Sequence, residues 1–219
     1  MKHFLKGMTR FQKEVFASQR EKYAGLATSQ SPETLFICCA DSRVMPSEML
    51  QCGPGELFIC RNAGNIVPAH SDNLGGVSAT VEYAVQVLKV KHIVVCGHSD
   101  CGAMRAVMNP EKVQHLRAVS QWILHAERVS AVARELHGSA DDASFLDRLI
   151  EENVIAQIDN LLTHPYVAAK VRSDSLQLHG MVFDIKSGTF SILDRANQQF
   201  ISVAEFTKQV QAEEEIVNA

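Results

Sequence analysis

Two cysteines and one histidine have the residue types and the spacing of a metal site. His98 and Cys101 are separated by two residues, so a single turn can direct both side chains at one ion. Cys39 follows an apolar run elsewhere in the chain and is a third candidate ligand. Two thiolates and one imidazole are soft to borderline donors, which favours zinc over magnesium or calcium. Three protein ligands leave the fourth tetrahedral position for water, as in catalytic zinc sites.

A carboxylate and a guanidinium lie directly beside the first of these ligands. Asp41 and Arg43 are two residues apart, so on an extended segment or in a tight turn they can form an ion pair. A carboxylate paired with arginine stays ionised and can accept a hydrogen bond from solvent on a metal. An isolated pair of this kind is usually an ordinary surface ion pair, but its position next to Cys39 favours a catalytic role. Asp100, between the other two ligands, is expected to cap the helix that follows.

Apolar runs and helical periodicity predict the elements that position these residues. The predicted strands are Thr34–Ala40, Glu56–Arg61, His92–Gly97, Leu176–Ile185 and Thr189–Leu193, the last two joined as a hairpin at Lys186-Ser187-Gly188. The predicted helices are Phe4–Leu26, a helix opened by Gly75-Gly76, Gln114–Leu136, and Asp142–Leu162, which Pro165 is expected to close.

Strands that are apolar throughout and alternate with helices predict an α/β fold. We expect a central, mostly parallel β-sheet flanked by helices, with an N-terminal helical arm. In such sheets ligands bind beyond the carboxyl ends of the strands, where both candidate clusters lie. The chain of 219 residues is interpreted as one domain over 1–219, with the arm at 1–28, the core at 30–195 and a C-terminal segment at 196–219.

Composition and charge argue against several classes of protein. The formal net charge of −4 argues against a nucleic-acid binder, which needs a basic surplus. No apolar run approaches the roughly 20 residues that span a bilayer, so no membrane contact is expected. The first twenty residues mix charges with phenylalanine and have no signal-peptide core, which predicts a cytoplasmic protein. Six cysteines are too few for a disulfide scaffold and are interpreted as small buried apolar residues or metal ligands.

Three strings of residues carry a resemblance to a known family. Cys39-Ala40-Asp41-Ser42-Arg43 and His98-Ser99-Asp100-Cys101-Gly102 resemble the two signature motifs of the β-class carbonic anhydrases, and Arg61-Asn62-Ala63-Gly64-Asn65 also matches that family's pattern. The similarity covers residues 30–184, and the chain looks like a bacterial-like member of the plant-type branch.

The resemblance implies a lyase with one zinc ion per chain, held by Cys39, His98 and Cys101 with water as the fourth ligand. It implies that Asp41 and Arg43 orient that water, and that zinc-bound hydroxide attacks carbon dioxide to give bicarbonate and a proton.

The expected pocket for carbon dioxide and bicarbonate comes from separate segments of the chain. Its residues are Gln30, Phe58, Ala63, Tyr83 and Gly102. The resemblance implies that Gln30 is the side-chain donor to the substrate and that the backbone N–H of Gly102 helps to bind bicarbonate. A cramped apolar pocket lined by Phe58, Ala63 and Tyr83 suits a small apolar substrate.

Two alternatives to carbon dioxide hydration stay open on the sequence. In one, Asp41 is a fourth ligand and the zinc only holds the fold together. In the other, the same scaffold hydrolyses CS2 or COS, which the motifs do not exclude. The amphipathic arm and the dispersed pocket also predict a homodimer, or a tetramer or octamer built from dimers.

Overall fold

The fold is built on one six-stranded sheet. In the computed structural model, which describes residues 1–71, 75–138 and 142–217, its strands lie in the order β2-β1-β3-β4-β5-β6. Their bounds are β1 Thr34–Cys39, β2 Leu57–Asn62, β3 His92–His98, β4 Gln177–Phe183, β5 Phe190–Asp194 and β6 Gln199–Ser202.

The first four strands are parallel and start in register. Thr34 lies opposite both Leu57 and His92, and His92 lies opposite Gln177, so the carboxyl ends of these strands share one edge of the sheet. Strands β4, β5 and β6 pair antiparallel, and β4 and β5 form the predicted hairpin. The predicted fold class is therefore confirmed. β6 was not predicted from the sequence.

Helices cover the sheet and extend from its ends. Their bounds are α1 Lys2–Arg10, α2 Phe16–Ser18, α3 Arg20–Leu26, α4 Pro46–Met49, α5 Gly76–Glu82, α6 Gly102–Met108, α7 Arg117–Ile123, α8 Glu127–His137, α9 Asp142–Thr163, α10 Pro165–Arg172 and α11 Val203–Val217. Short 3-10 turns span Ala63–Asn65, Pro110–Val113 and Leu124–Ala126, and π-helical turns span Phe11–Val15 and Tyr83–Leu88.

Three predictions about helices are wrong. The single helix expected over Phe4–Leu26 is interrupted at Gln19, between α2 and α3. The single helix expected over Gln114–Leu136 is divided into α7 and α8 by the turn Leu124–Ala126. Pro165 does not simply close the long helix but occupies the first position of α10. Proline suits that position because its missing N–H would have no partner in the first turn of a helix.

The core forms on both faces of β1, because successive side chains of a strand point to opposite sides. Leu35 and Ile37 are fully buried in the larger cluster, which includes residues of α9, and Phe36 and Cys38 are fully buried on the other face. The helix α9 approaches the sheet closely at Gly180 of β4, where an added Cβ would lie 2.8 Å from Val154. Burial of these strands fixes where their ends lie.

The N-terminal arm contributes no buried residue to this core. Many of its apolar side chains are exposed, including Phe4, Leu5, Met8, Phe11 and Val15. An ion pair of 2.7 Å joins Lys22 of the arm to Glu56, just before β2. In the part of the chain that the structure describes, no helix combines the length and the apolar composition needed to cross a membrane.

Candidate metal centre

The ends of two neighbouring strands bring the candidate ligands together. β1 ends at Cys39 and β3 ends at His98, and Cys101 immediately precedes α6. One ligand atom from each of the three residues lies within 4.8 Å of the others, and all three side chains are buried. The structure therefore brings the three predicted ligands within reach of one metal ion.

The hydrogen bonds of His98 leave one ring nitrogen without a partner. Nδ1 lies 2.9 Å from the carbonyl oxygen of Ser99, so it is the nitrogen that carries the proton. Nε2 is buried and has no hydrogen-bond partner among the described residues. A buried nitrogen without a partner costs free energy unless it binds something, and a metal ion is a fitting acceptor of its lone pair.

The residue after His98 fixes the strand end. Ser99 Oγ accepts a hydrogen bond of 2.9 Å from the Ile185 backbone N–H and donates to Asp184 Oδ1 at 3.4 Å. The carbonyl that orients the imidazole is thereby held by the segment after β4.

The Cys39 and Cys101 sulfur atoms lie close together in a buried site. The interaction between the two thiols contributes most to lowering the pKa of Cys39 and to raising that of Cys101. The backbone N–H of Gly64 donates to the Cys39 sulfur at 3.4 Å and stabilises its thiolate form. Two sulfurs and one free imidazole nitrogen are a donor set that fits zinc.

Asp41 and Arg43 form an ion pair beside these ligands. Asp41 Oδ1 accepts hydrogen bonds from the Arg43 backbone N–H and Nε, each 2.9 Å long, and Oδ2 accepts one of 2.8 Å from Nη2. Oδ2 also lies 4.0 Å from His98 Nε2. The hydrogen bonds from Arg43 hold the pKa of Asp41 well below its usual range.

The Asp41 carboxylate is not grouped with the three ligands. Of the described residues, only Cys39, His98 and Cys101 form a cluster with metal-ligand geometry. Three ligands leave an open coordination position, which is the arrangement of a catalytic rather than a closed structural zinc site.

Asp100 has a different role from the expected one. Cys101 precedes α6 without any side-chain cap. The Asp100 carboxylate instead accepts a hydrogen bond of 2.9 Å from Arg43 Nη1 and one of 2.6 Å from Arg105 Nη2. Asp100 has a φ of 57°, an uncommon value for a residue other than glycine, and this directs it back toward Arg43. Its contact with Arg43 was not predicted.

The third motif supports the strand end that carries Cys39. Arg61 donates from Nε to the Cys39 carbonyl oxygen at 3.1 Å and from Nη2 to the Asp41 carbonyl oxygen at 2.7 Å. The Asn62 side chain makes hydrogen bonds of 2.8 and 2.9 Å with the backbone of Ile66 and so closes the turn between them.

The predicted pocket residues are only partly brought together. Phe58 and Tyr83 lie with ring centroids 5.9 Å apart, and Tyr83 is 45% exposed. Ala63 precedes the glycine that contacts Cys39, and Gly102 is the first residue of α6, so its N–H has no partner within the helix. Gln30 is exposed before β1, and its side chain forms no hydrogen bond with any described residue.

A buried row of amides on α9 was missed by the sequence interpretation. Asn153, Gln157 and Asn160 lie at spacings of four and three residues, each at most 3% exposed. Asn153 donates to the Gly64 carbonyl oxygen at 3.0 Å, and Gln157 accepts from the Val67 N–H at 2.8 Å. Their shared helical face is visible in the sequence, but polar residues on one face usually contact solvent.

A cavity of about 530 Å³ lies away from this centre, among α6, α7 and α8. Its lining includes Val107, Ile123 and Arg134 and contains none of the predicted site residues.

Comparisons with known proteins agree on one family. The family model described as carbonic anhydrase matches residues 34–190. The chain is 49% identical to a carbonic anhydrase of Pseudomonas aeruginosa, with 94% of this chain and 93% of the relative covered. It is 46% identical to carbonic anhydrase 1 of Escherichia coli O157:H7, with 93% of each covered.

Solved structures give the same result. The β-carbonic anhydrase CcaA superimposes with a TM-score of 0.90 at 33% identity, over 92% of this chain and 98% of that one. A structure reported with two tetrameric β-carbonic anhydrases of Sordaria macrospora has a TM-score of 0.79 at 32% identity, over 88% and 96% of the two chains.

Proposed function

The chain belongs to the β-class carbonic anhydrases and catalyses the zinc-dependent, reversible hydration of carbon dioxide, and from this membership we propose how its individual residues contribute. Cys39, His98 and Cys101 hold the zinc ion. When bound, zinc lowers the pKa of water so that a nucleophile is available near neutral pH. The remaining assignments concern the residues around that centre.

Asp41 accepts a hydrogen bond from the attacking water and thereby orients it. The support is the unequal use of its two oxygens: Oδ1 accepts two hydrogen bonds from Arg43, and Oδ2 accepts one and lies 4.0 Å from His98 Nε2. Oδ2 therefore keeps acceptor capacity on the side of the ligands. This is the single observation that carries the proposal.

Arg43 keeps Asp41 ionised and fixes its direction. A carboxylate that must accept a hydrogen bond has to be deprotonated, and the adjacent guanidinium favours that form. Arg43 is itself held by Asp100, through a hydrogen bond of 2.9 Å to the carboxylate and one of 3.2 Å to the carbonyl oxygen. The pair is thus fixed from both sides before the substrate arrives.

Phe58, Ala63 and Tyr83 form the apolar wall of the carbon dioxide pocket, supported by the contact of the two aromatic rings. Gln30 donates to the substrate, and the Gly102 N–H binds bicarbonate at the helix N-terminus. Because Tyr83 and Val87 are 45% and 57% exposed, a second copy of the chain completes the pocket.

The protein forms a homo-oligomer built from dimers. The support is the exposed apolar surface of the arm, together with the tetrameric relative from Sordaria macrospora. The arm covers 1–28, a single core domain 30–195, and a C-terminal segment 196–219. The six cysteines form no disulfide, which supports a location in the reducing cytoplasm.

The experiment that tests the proposed centre removes one ligand sulfur. Cys39→Ser is expected to lose most of its bound zinc and its carbon dioxide hydration, because an alcohol is a poor replacement for a thiolate ligand. Metal content is measured by elemental analysis and hydration by stopped-flow indicator assay, before and after a chelator. Cys52→Ser is the matched control, since Cys52 lies outside the ligand cluster and should keep one zinc per chain. A zinc-replete but inactive parent protein would contradict the assignment.

A further inference from the structure

One peptide group connects a metal ligand to the only tryptophan of the chain. The Gly64 N–H donates to the Cys39 sulfur at 3.4 Å. The carbonyl oxygen of Ala63, at the other end of the same peptide group, accepts a hydrogen bond of 2.8 Å from Trp122 Nε1. The tryptophan on α7 and the sulfur on β1 therefore contact opposite ends of one peptide.

The two hydrogen bonds act in series. A donor on a peptide carbonyl polarises the whole group, so the N–H on the other side becomes a stronger donor. Gly64 and its hydrogen bond to Cys39 are buried, so water does not screen this end of the peptide, whereas the Trp122 hydrogen bond to Ala63 lies at the surface. The Trp122 indole therefore strengthens the hydrogen bond that reaches Cys39, in addition to fixing its direction.

The rest of the surroundings leave this peptide little room to turn. Gly64 has a φ of 82°, and a Cβ added there would lie 2.8 Å from the Ala103 Cβ. Its carbonyl oxygen is held by Asn153 at 3.0 Å, and Asn153 in turn accepts from Gln157 at 2.9 Å. The following peptide is thus anchored to α9, while the Ala63 carbonyl depends on Trp122.

We propose that Trp122 is a positioning residue for the metal centre: it holds the Ala63–Gly64 peptide so that the Gly64 N–H stays on the Cys39 sulfur and limits the charge this sulfur donates to the metal. The inference rests on Cys39 being a zinc ligand. It adds a residue from α7 to a centre otherwise built from the strand ends and the turn before α6.

The test uses cobalt(II) as a spectroscopic replacement for zinc. A hydrogen bond lowers the energy of the sulfur lone pair, so losing it moves the sulfur-to-cobalt charge-transfer absorption to longer wavelength. Trp122→Phe keeps an aromatic ring but removes the indole N–H, and its band is expected at longer wavelength than that of the parent protein. Zinc affinity, measured by competition with a chromophoric chelator, is expected to fall by about tenfold, because the ligand sulfur loses a contact that holds it in position and this outweighs its stronger donation.

Two control variants separate this effect from general loosening. His125→Ala removes the ring that lies 5.4 Å from Trp122 but leaves the indole N–H in place. Ile123→Val removes one methylene from a neighbouring side chain that is only 5% exposed. Both are expected to leave the band where it is. An unmoved band in Trp122→Phe, or an equal shift in Ile123→Val, would refute the inference.

The unmodified protein provides a second measurement if Trp122→Phe does not fold. Trp122 is the only tryptophan, so the protein's tryptophan fluorescence reports on the surroundings of this one indole. Chelation of zinc is expected to change the emission, and readdition of zinc to restore it; an emission that is the same with and without zinc would overturn the inference. If the parent protein binds cobalt without any charge-transfer band, the ligand assignment itself has failed, which is a separate result.

Discussion

At the scale of single residues, the centre depends on which atoms keep a free lone pair. His98 Nε2 has one because Nδ1 is occupied by the Ser99 carbonyl oxygen. Asp41 Oδ2 keeps acceptor capacity because Arg43 directs two of its three hydrogen bonds to Oδ1. The residue type alone does not determine which atom of either side chain keeps its lone pair. Neighbouring residues in the chain orient both side chains.

Replacing one oxygen of Asp41 tests its acceptor role. Asp41→Asn keeps the size of the side chain but removes the charge and places an NH2 group against Arg43 or the metal centre. We expect the zinc-loaded variant to hydrate carbon dioxide about 10²-fold more slowly, the lower end of what positioned proton-handling groups contribute. Stopped-flow rates at matched zinc content measure this change.

The control for that variant makes the same substitution elsewhere. Asp174 is exposed and has a φ of 53°, a value that asparagine tolerates. Asp174→Asn should keep the parental rate. If zinc-replete Asp41→Asn also keeps it, the carboxylate does not orient the nucleophile.

The metal ligands could be predicted from the sequence because their identity is local. A His-x-x-Cys pair and the motif after β1 restrict the possible chemistry within a few residues. The contributions of Asp100, Asn153 and Trp122 could not be predicted, because each acts on a segment distant in sequence. Trp122, for example, is 59 residues from the carbonyl oxygen that it contacts.

At the scale of elements, a histidine pair joins two strands of the sheet. His92 Nδ1 of β3 lies 3.1 Å from His179 Nε2 of β4, and both side chains are half-buried. Burial lowers the pKa of His179 most, and the nearby His92 and Arg195 lower it further. The folded protein therefore binds this proton less readily than the unfolded chain does.

The sign of the resulting pH dependence follows from that difference. His179 has its ordinary pKa of about 6.5 when the chain is unfolded, so the unfolded state takes up a proton first as the pH falls. The contribution of neutral His179 to stability is complete above pH 6.5 and is lost below it. Between pH 7.5 and pH 5.5 the free energy of unfolding should therefore fall less for His179→Gln than for the parent protein. Urea unfolding at both pH values measures this difference.

A second histidine serves as the control for this measurement. His115 is exposed, and His115→Gln should show the same loss as the parent protein. His164 is fully buried, and burial lowers its pKa as well. Because His164 remains in both variants, part of the dependence of stability on pH remains in both. An unchanged loss in His179→Gln would show that the pair does not contribute.

Sequence patterns predicted the strands whose residues are buried one after another. They missed the short strand that has no buried residue and the break between two helices. β1 and β3 are nearly uniform apolar runs, and their predicted bounds differ from the structure by at most one residue at the C-terminal end. β6 has only four residues, none of them buried, so no apolar run marks it. The division between α7 and α8 follows from a 3-10 turn over Leu124–Ala126, where no proline or glycine is present.

At the scale of the whole molecule, the arm is the segment whose large apolar side chains a single chain does not cover. Phe4 and Met8 are 66% and 62% exposed and are one helical turn apart on α1. Side chains of this size gain about 1.5–3 kcal/mol each when they are buried. A dimer that covers them would therefore depend on the arm for much of its affinity.

Charged substitutions on this helix test that dependence. Phe4→Lys combined with Met8→Lys should weaken self-association by about a hundredfold or more, since at least about 3 kcal/mol of burial is lost. Sedimentation velocity over a range of protein concentrations measures the change. Lys6→Gln, between the two positions, should sediment like the parent protein; a double variant that does the same would place the interface elsewhere.

The position of β4 has a consequence for how the protein is made. β4 pairs with β3 in the middle of the sheet, yet residues 99–176 separate them in the chain. While the ribosome adds those residues, β3 has its β1 neighbour on one side and an open row of backbone donors and acceptors on the other. Such an edge is a template for pairing with another nascent chain. A polypeptide released before residue 177 would carry all three zinc ligands and still be prone to aggregate. Translation therefore has to continue well past the catalytic motifs before β4 can cover the open edge of β3.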